Sequence, residues 1–78
     1  MNGTEIARLI VAEATGASVD EISAASDMFS VAGWDSIAHM KIILAAEARL
    51  GARLAPDLVV NLTSVRDLIG LFSPDQPR

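Results

Sequence analysis

The stretch from Ser36 to Leu50, SIAHMKIILAAEARL, places the strongest constraint on the fold of this chain. It contains neither glycine nor proline, and its apolar residues recur at spacings of three and four. That spacing is typical of an α-helix. Gly51 follows immediately, and glycine is the residue that most readily adopts the left-handed conformation at helix ends. We therefore predict a helix from Ser36 to Leu50 with Gly51 as its C-terminal cap.

This predicted helix carries two apolar stripes. The inner stripe consists of Ile42, Ile43, Ala46 and Leu50. The outer stripe consists of Ile37, Met40 and Leu44. A small domain has a thin core that one stripe can cover, so we expect one of the two stripes to be partly exposed, and exposed apolar patches often mark partner surfaces. Burial of both stripes is the alternative that the sequence leaves open.

The rest of the chain also has helical spacing, and no run alternates cleanly as a half-buried strand does. A first helix is predicted from Thr4 to Ala14, with Thr4 as its N-cap and Gly16 at its end. The segment PDLVVNL predicts a short helix that begins near its proline. The segment TSVRDLIGLF predicts the last helix, capped by Thr63 or Ser64. The expected fold class is all-α.

A long connection, residues 17–35, separates the first two predicted helices. Loops of this length are uncommon in small domains unless they are functional. Within it, SVDEI predicts a turn of helix. Four apolar residues are expected to pin the connection onto the core: Val19, Ile22, Met28 and Phe29. The core face of the last helix is expected to consist of Val65, Leu68, Ile69 and Phe72.

The composition narrows the classes of protein to which the chain can belong. Its 78 residues make one small domain, and without cysteine neither a disulfide nor a cysteine-ligated metal can hold it together. A net charge of -4 argues against nucleic-acid binding, which needs clustered basic residues. No apolar run reaches the ~20 residues that span a bilayer, and the N-terminus lacks a signal-peptide pattern. We expect a soluble cytoplasmic protein.

The sequence GWDSI raises the question of what Ser36 does at the start of the second helix. Either Ser36 or Asp35 can cap that helix. A nucleophilic serine needs a base and an oxyanion hole, but the single histidine, His39, lies in the same helix, without the strand–turn–helix elbow of a hydrolase. One histidine and scattered carboxylates also supply no metal-ligand cluster. We interpret His39 as a partly buried residue that hydrogen-bonds loop backbone.

Covalent attachment is the chemistry that the position of Ser36 favours. The free N–H groups and the dipole at a helix N-terminus stabilise a negative group such as a phosphate ester. Asp35 is placed to help a modifying enzyme hold Mg²⁺ near a phosphate donor, because Mg²⁺ commonly bridges carboxylate and phosphate oxygens. The pair therefore predicts a modification site at Ser36.

The motif GWDSI, followed by an apolar helix that ends in AEARLG, resembles the G-x-D-S-L motif of acyl and peptidyl carrier proteins. The resemblance covers most of the chain: a first helix, a long loop with DMF, the helix at the motif serine, the short element PDLVV and the segment LTSVRDLI. It implies a small four-helix bundle with a long first loop and a short third helix. The WDS form resembles carriers that work outside fatty-acid synthesis, including stand-alone carriers of specialised pathways and D-alanyl carriers.

The resemblance implies that Ser36 is the attachment point of 4′-phosphopantetheine, which a phosphopantetheinyl transferase takes from coenzyme A with Mg²⁺. It assigns Asp35 to recognition by that transferase. The thiol of the arm carries acyl or aminoacyl groups as thioesters. Such a carrier is not an enzyme; it passes from an acyl- or aminoacyl-loading enzyme to a downstream synthase or transferase. We expect a monomer with no nucleic-acid partner and no membrane span.

The same resemblance places partner contacts on the second helix, beside the arm. The expected contacts are Trp34, Ile37, Met40, Lys41 and Leu44. Trp34 has a second interpretation, in which it folds back over the loop as a hydrophobic lid. Fatty-acid carriers typically have a strongly acidic second helix, whereas here Glu47 is its one acidic residue, beside Lys41 and Arg49. Because charge complementarity governs partner encounter, we expect a specialised pathway, such as polyketide or nonribosomal peptide synthesis.

The carrier domain is predicted to span residues 1–73, and a polar tail, residues 74–78, is expected to be disordered. The rival hypothesis is an unmodified helical interaction module, in which Ser36 is only a helix cap and the outer stripe binds a partner. The second helix is rich in alanine, which could either leave room inside the bundle or let the helices pack more closely. The sequence therefore does not decide whether the carried group lies inside the bundle.

Overall fold

Four α-helices follow one another in the computed structural model, which describes residues 2–72. They are α1 (Gly3–Thr15), α2 (Ser36–Leu50), α3 (Pro56–Asn61) and α4 (Val65–Phe72). A short 3-10 turn, Val19–Glu21, lies in the connection between α1 and α2. These residues contain no β-strand, and the all-α prediction is confirmed. The predicted tail, residues 74–78, lies outside the described residues.

The ends of α1 and α2 show which local signals set the helix boundaries. α2 spans the predicted residues, and Gly51 ends it with a φ of 69°. α1 begins one residue earlier than predicted, because the side chain of Asn2 accepts a hydrogen bond from the N–H of Glu5 at 2.9 Å. The prediction that Thr4 caps α1 is therefore wrong. Gly16 ends α1 as expected, with a φ of 79°.

The core forms where α1 packs against α2, α4 and the 3-10 turn. Three helices contribute fully buried side chains, Val11, Ile42, Val65 and Leu68, and the connection contributes Ile22. Burying each one contributes about 1.5–3 kcal/mol to folding. α3 contributes no buried residue. The core is therefore a three-helix contact, and α3 lies at its edge.

The inner stripe of α2 faces this core, and the outer stripe does not. Ile42, Ile43 and Ala46 are buried, and Leu50 is partly buried. Ile37, Met40 and Leu44 remain 68%, 54% and 60% exposed. The prediction that one stripe is partly exposed is confirmed, and the structure shows that it is the outer stripe; burial of both stripes is wrong.

One arginine holds the long connection onto α1. Arg8 Nε donates to the carbonyl of Ile22 at 2.6 Å, and Arg8 Nη2 donates to the carbonyl of Val19 at 2.9 Å. Ile22 is fully buried, while Val19 and Met28 pack against the core as predicted. The predicted turn of helix in SVDEI is the 3-10 turn, which Ser18 caps.

Phe29 does not pin the connection, so that prediction is wrong. Its side chain is 90% exposed. It lies in a tight turn, in which Asp27 Oδ1 accepts hydrogen bonds from the N–H groups of Phe29 and Ser30, both at 2.9 Å. Met28 instead donates its N–H to the carbonyl of Thr63 at 2.9 Å. Since side-chain direction in a turn follows neither the helix nor the strand period, apolarity alone did not tell the two residues apart.

The start of α4 is fixed by two hydrogen bonds of Asp67, one to Ser64 and one from Thr63. Asp67 donates its N–H to Ser64 Oγ at 3.1 Å, and Asp67 Oδ2 accepts from the N–H of Thr63 at 3.2 Å. The predicted capping role of Ser64 is confirmed. Across residues 2–72, none of these helices has the length and apolarity needed to cross a membrane.

Candidate functional site

Asp35 and Ser36 have different positions at the start of α2. Asp35 is the N-cap, and its Oδ1 accepts a hydrogen bond from the N–H of Ala38 at 2.8 Å. Ser36 is the first residue of the helix and is exposed. Its hydroxyl makes no hydrogen bond to any residue between 2 and 72. Asp35 thus takes the cap position that the sequence left open between the two, which leaves the Ser36 hydroxyl accessible.

Ser36 differs in this respect from the other described serines. The hydroxyls that hold turns or helix starts are those of Ser18, Ser23, Ser26, Ser30 and Ser64. Among the serines of residues 2–72, Ser36 alone has a hydroxyl without such a bond. Local structure therefore gives no reason for a serine at this position, and a chemical role becomes the better explanation.

The first turn of α2 is suited electrostatically to an anion. It contains no acidic side chain. The leading N–H groups of a helix have no partners within it, and the helix dipole adds about half a positive elementary charge at this end. A phosphate ester on Ser36 Oγ would lie at this positive end, an arrangement that contributes about 0.3–1 kcal/mol.

Gly33 directs the chain into the start of α2. Its φ is 91°, and a Cβ at this position would lie 2.7 Å from the carbonyl oxygen of Thr15, at the end of α1. Only glycine can pass this close to another backbone in such a conformation. The carbonyl of Gly33 accepts a hydrogen bond from the N–H of Asp35 at 2.9 Å, so this contact positions the helix cap.

Trp34 packs inward, which corrects its predicted place among the partner contacts. It is only 5% exposed and belongs to the buried core cluster, which agrees with the second interpretation, in which it folds back. Its Nε1 donates to His39 Nδ1 at 3.3 Å, and the two rings stack with centroids 6.5 Å apart. His39 Nε2 lies 2.8 Å from the carbonyl oxygen of Val59. His39 is partly buried and bonds backbone as predicted, but that backbone belongs to α3 and not to a loop.

The geometry of His39 argues against a catalytic serine. Both of its ring nitrogens are engaged by groups other than the Ser36 hydroxyl, namely Trp34 and Val59. A serine nucleophile needs a base within hydrogen-bond reach. Ser36 is thus better suited to accept a group from another protein than to activate a substrate.

A groove lies beside Ser36, between the start of α2 and α3. Its volume is about 540 Å³, and most of its lining is apolar. The lining residues are Met28, Trp34, Asp35, Ser36, His39, Met40, Val59, Val60 and Thr63. Sequence reasoning missed this groove because three separate segments form it. The apolar pair Val59 and Val60 in a short outer helix was the local signal that could have indicated it.

The chain matches the family model for the phosphopantetheine attachment site over residues 5–72. It belongs to this carrier family. The match contains the whole of α2, α3 and α4, together with Asp35 and Ser36. A search of curated proteins finds no match to the chain. Carriers of this family hold 4′-phosphopantetheine covalently, bear thioester-linked groups on it, and work with a phosphopantetheinyl transferase and partner enzymes.

The residues of this carrier fit the phosphopantetheine group. An exposed hydroxyl at a positive helix end suits a phosphodiester, and the neighbouring groove offers apolar surface to the rest of the arm. Four of the predicted partner residues are exposed along α2: Ile37, Met40, Lys41 and Leu44. Lys41 also lines a second cleft, between α1 and α2, with Glu13 and Arg49.

Proposed function

We propose that Ser36 is the residue of this carrier to which 4′-phosphopantetheine is attached. The observation that carries the proposal is the free hydroxyl at the first position of α2, with Asp35 already serving as the cap. The rival hypothesis explains Ser36 only as a helix cap. The cap of α2 is Asp35, so that explanation does not account for Ser36.

The reaction transfers a phosphopantetheinyl group from coenzyme A to the serine oxygen. Ser36 Oγ bonds to the phosphorus, its hydroxyl proton leaves, and the bond to adenosine 3′,5′-bisphosphate breaks. His39 is engaged by Trp34 and Val59, so we assign the base that takes the proton to the transferase rather than to His39. When bound, the arm supplies the thiol that this cysteine-free chain lacks.

Intact-protein mass spectrometry tests the proposal directly. The protein is incubated with coenzyme A, Mg²⁺ and a broad-specificity phosphopantetheinyl transferase. We expect a gain of one phosphopantetheinyl group, and fragmentation should place it on the peptide that contains Ser36. A folded protein that gains no mass, or gains it on another peptide, contradicts the proposal.

Asp35 has two roles in this proposal, helix cap and contact for the transferase, and they can be separated. Asp35→Asn keeps a capping oxygen but removes the charge. It should leave stability nearly unchanged and lower kcat/KM for loading roughly tenfold, since a bond to a charged group contributes about 1.5–3 kcal/mol. Asp35→Ala should additionally lower the free energy of unfolding by about 1 kcal/mol. Urea unfolding and loading kinetics measure the two effects, and unchanged loading of Asp35→Asn would exclude the charge from recognition.

We propose that partner enzymes dock on the outer stripe, Ile37, Met40 and Leu44, with Lys41 at its edge. Support comes from the exposure of these apolar side chains next to Ser36. The one acidic residue of α2, Glu47, is partly buried, and its Oε2 accepts the N–H of Leu54 at 2.8 Å. The exposed charges of α2 are therefore basic. This surface suits partners other than those that select an acidic helix.

Met40→Glu tests the docking surface with the transferase as the partner. A charge buried without a partner in the complex is costly, so kcat/KM for loading should fall roughly tenfold or more. Ala52→Glu is the matched control, because it places the same charge at an exposed position beyond the far end of α2. Equal loading rates for the two variants would show that the outer stripe makes no contact with the transferase.

The cargo is proposed to be an acyl or aminoacyl group of a specialised pathway, of the polyketide or nonribosomal peptide kind. Support comes from the basic, apolar surface of α2 and from the mostly apolar groove beside Ser36, which suits an apolar carried group. We also propose a non-catalytic, monomeric carrier domain that spans residues 1–73. The protein with its arm attached can be offered acyl and aminoacyl donors together. The mass of the thioester formed on the arm's thiol would then distinguish the cargo classes.

A further inference from the structure

α3 is held at the edge of the core, where Val59 packs against the buried cluster and Leu62, directly after the helix, is buried. None of its residues is buried, and its N-cap, Ala55, makes no side-chain capping bond. Leu58 and Val60 are 45% and 72% exposed. A six-residue helix has little stability of its own, so contacts with the rest of the fold must hold it in place.

Two hydrogen bonds connect α2 with the segment that contains α3. One joins Glu47 to the N–H of Leu54, just before α3 begins. The other joins His39 Nε2 to the carbonyl oxygen of Val59, inside α3, at 2.8 Å. Val59 lies on the wall of the groove opposite the start of α2. The His39 bond therefore joins two of the residues that line the groove beside Ser36.

The partners of His39 require one tautomer. The indole N–H of Trp34 can only donate, so His39 Nδ1 must accept and carry no proton. The carbonyl of Val59 can only accept, so His39 Nε2 must carry the proton and donate it. Both contacts demand the same neutral form. The ring is thereby fixed between the buried Trp34 and the outer helix.

We propose that His39 is a positioning residue of the carrier: it holds α3 against the start of α2 and sets the width of the groove beside Ser36. The functional meaning of this role rests on the proposed function, because the groove lies beside Ser36, where the arm is proposed to be attached. Loss of the bond to Val59 lets α3 move away and opens the groove. The fold itself is retained, since the core lies among α1, α2 and α4.

The test uses the protein before loading, so that failure of Ser36 attachment cannot obscure it. NMR of the His39 ring nitrogens is expected to show a protonated Nε2 and an unprotonated Nδ1. His39→Ala removes both the bond to Val59 and the acceptor of the Trp34 indole N–H. Amide exchange in α3 should rise about three- to tenfold relative to that in α1, from the loss of the bond to Val59. The methyl signals of Met28 and Met40, on the groove walls, should shift.

His39→Gln is the conservative variant, because its amide N–H can still donate to Val59. It should restore most of the protection of α3, whereas His39→Leu, which fills space without a donor, should not. The opposite ring tautomer, equal acceleration of exchange in α1 and α3, or no rescue by glutamine would each overturn the proposal. Loading of wild-type protein, measured separately by mass, decides the proposed function alone.

Discussion

Ser36→Ala is expected to abolish loading completely while leaving the protein folded. The substitution removes the oxygen that bonds to phosphorus, and no other described serine has a free hydroxyl. Intact mass after incubation with coenzyme A, Mg²⁺ and transferase should stay that of the starting protein. The free energy of unfolding should change by no more than about 0.5 kcal/mol, because Ser36 Oγ makes no internal bond and Asp35 keeps the cap.

Ser23→Ala is the matched control for this experiment. Ser23 is also an exposed serine, but its hydroxyl accepts the N–H of Ala25 at 3.1 Å. This variant should load like the wild type. A mass gain in Ser36→Ala would show that the arm is attached elsewhere, and marked unfolding of Ser36→Ala would show a structural role that the hydrogen bonds do not reveal.

The helix boundaries were predictable wherever a local signal had no competitor. α2 ends at Gly51, for which the sequence offered no other residue, whereas at its start the sequence left the cap open between Asp35 and Ser36 and only the bond from Ala38 to Asp35 decides. At α1, both Asn2 and Thr4 are good capping residues, and only the observed bond from Glu5 to Asn2 decides between them. Capping preferences thus locate the ends of the helices, but they do not decide which of two nearby capping residues is the actual cap.

The position of Asp35 and Ser36 at the start of α2 was predictable because one short motif contains both. The groove was not, since it depends on contacts between residues far apart in the chain. The bond between His39 and Val59 joins positions 20 residues apart, and no periodicity connects them. Phe29 and Met28 show the same limit. They are adjacent apolar residues in a turn, but Phe29 is exposed whereas Met28, whose N–H bonds to the carbonyl of Thr63, packs against the core.

Gly33→Ala is expected to be among the most damaging single substitutions near the site. A non-glycine residue at a φ of 91° is strained, which costs about 1–2 kcal/mol by itself. In addition, the new Cβ would lie 2.7 Å from the carbonyl oxygen of Thr15, which is backbone and cannot rotate away. The chain must therefore shift, and a total loss on the order of 3 kcal/mol is expected for strain and displacement together.

Gly16→Ala separates the two causes of this loss. Gly16 has a similar φ of 79°, but a Cβ there would meet nothing within 4 Å. Urea unfolding should show a loss of about 1–2 kcal/mol for Gly16→Ala, from conformational strain alone. Because Gly33 also positions Asp35, only Gly33→Ala should slow loading of the fraction that remains folded. Equal stabilities and equal loading rates for the two variants would mean that the connection moves away from α1 without cost, and that the close contact at Thr15 does not position Ser36.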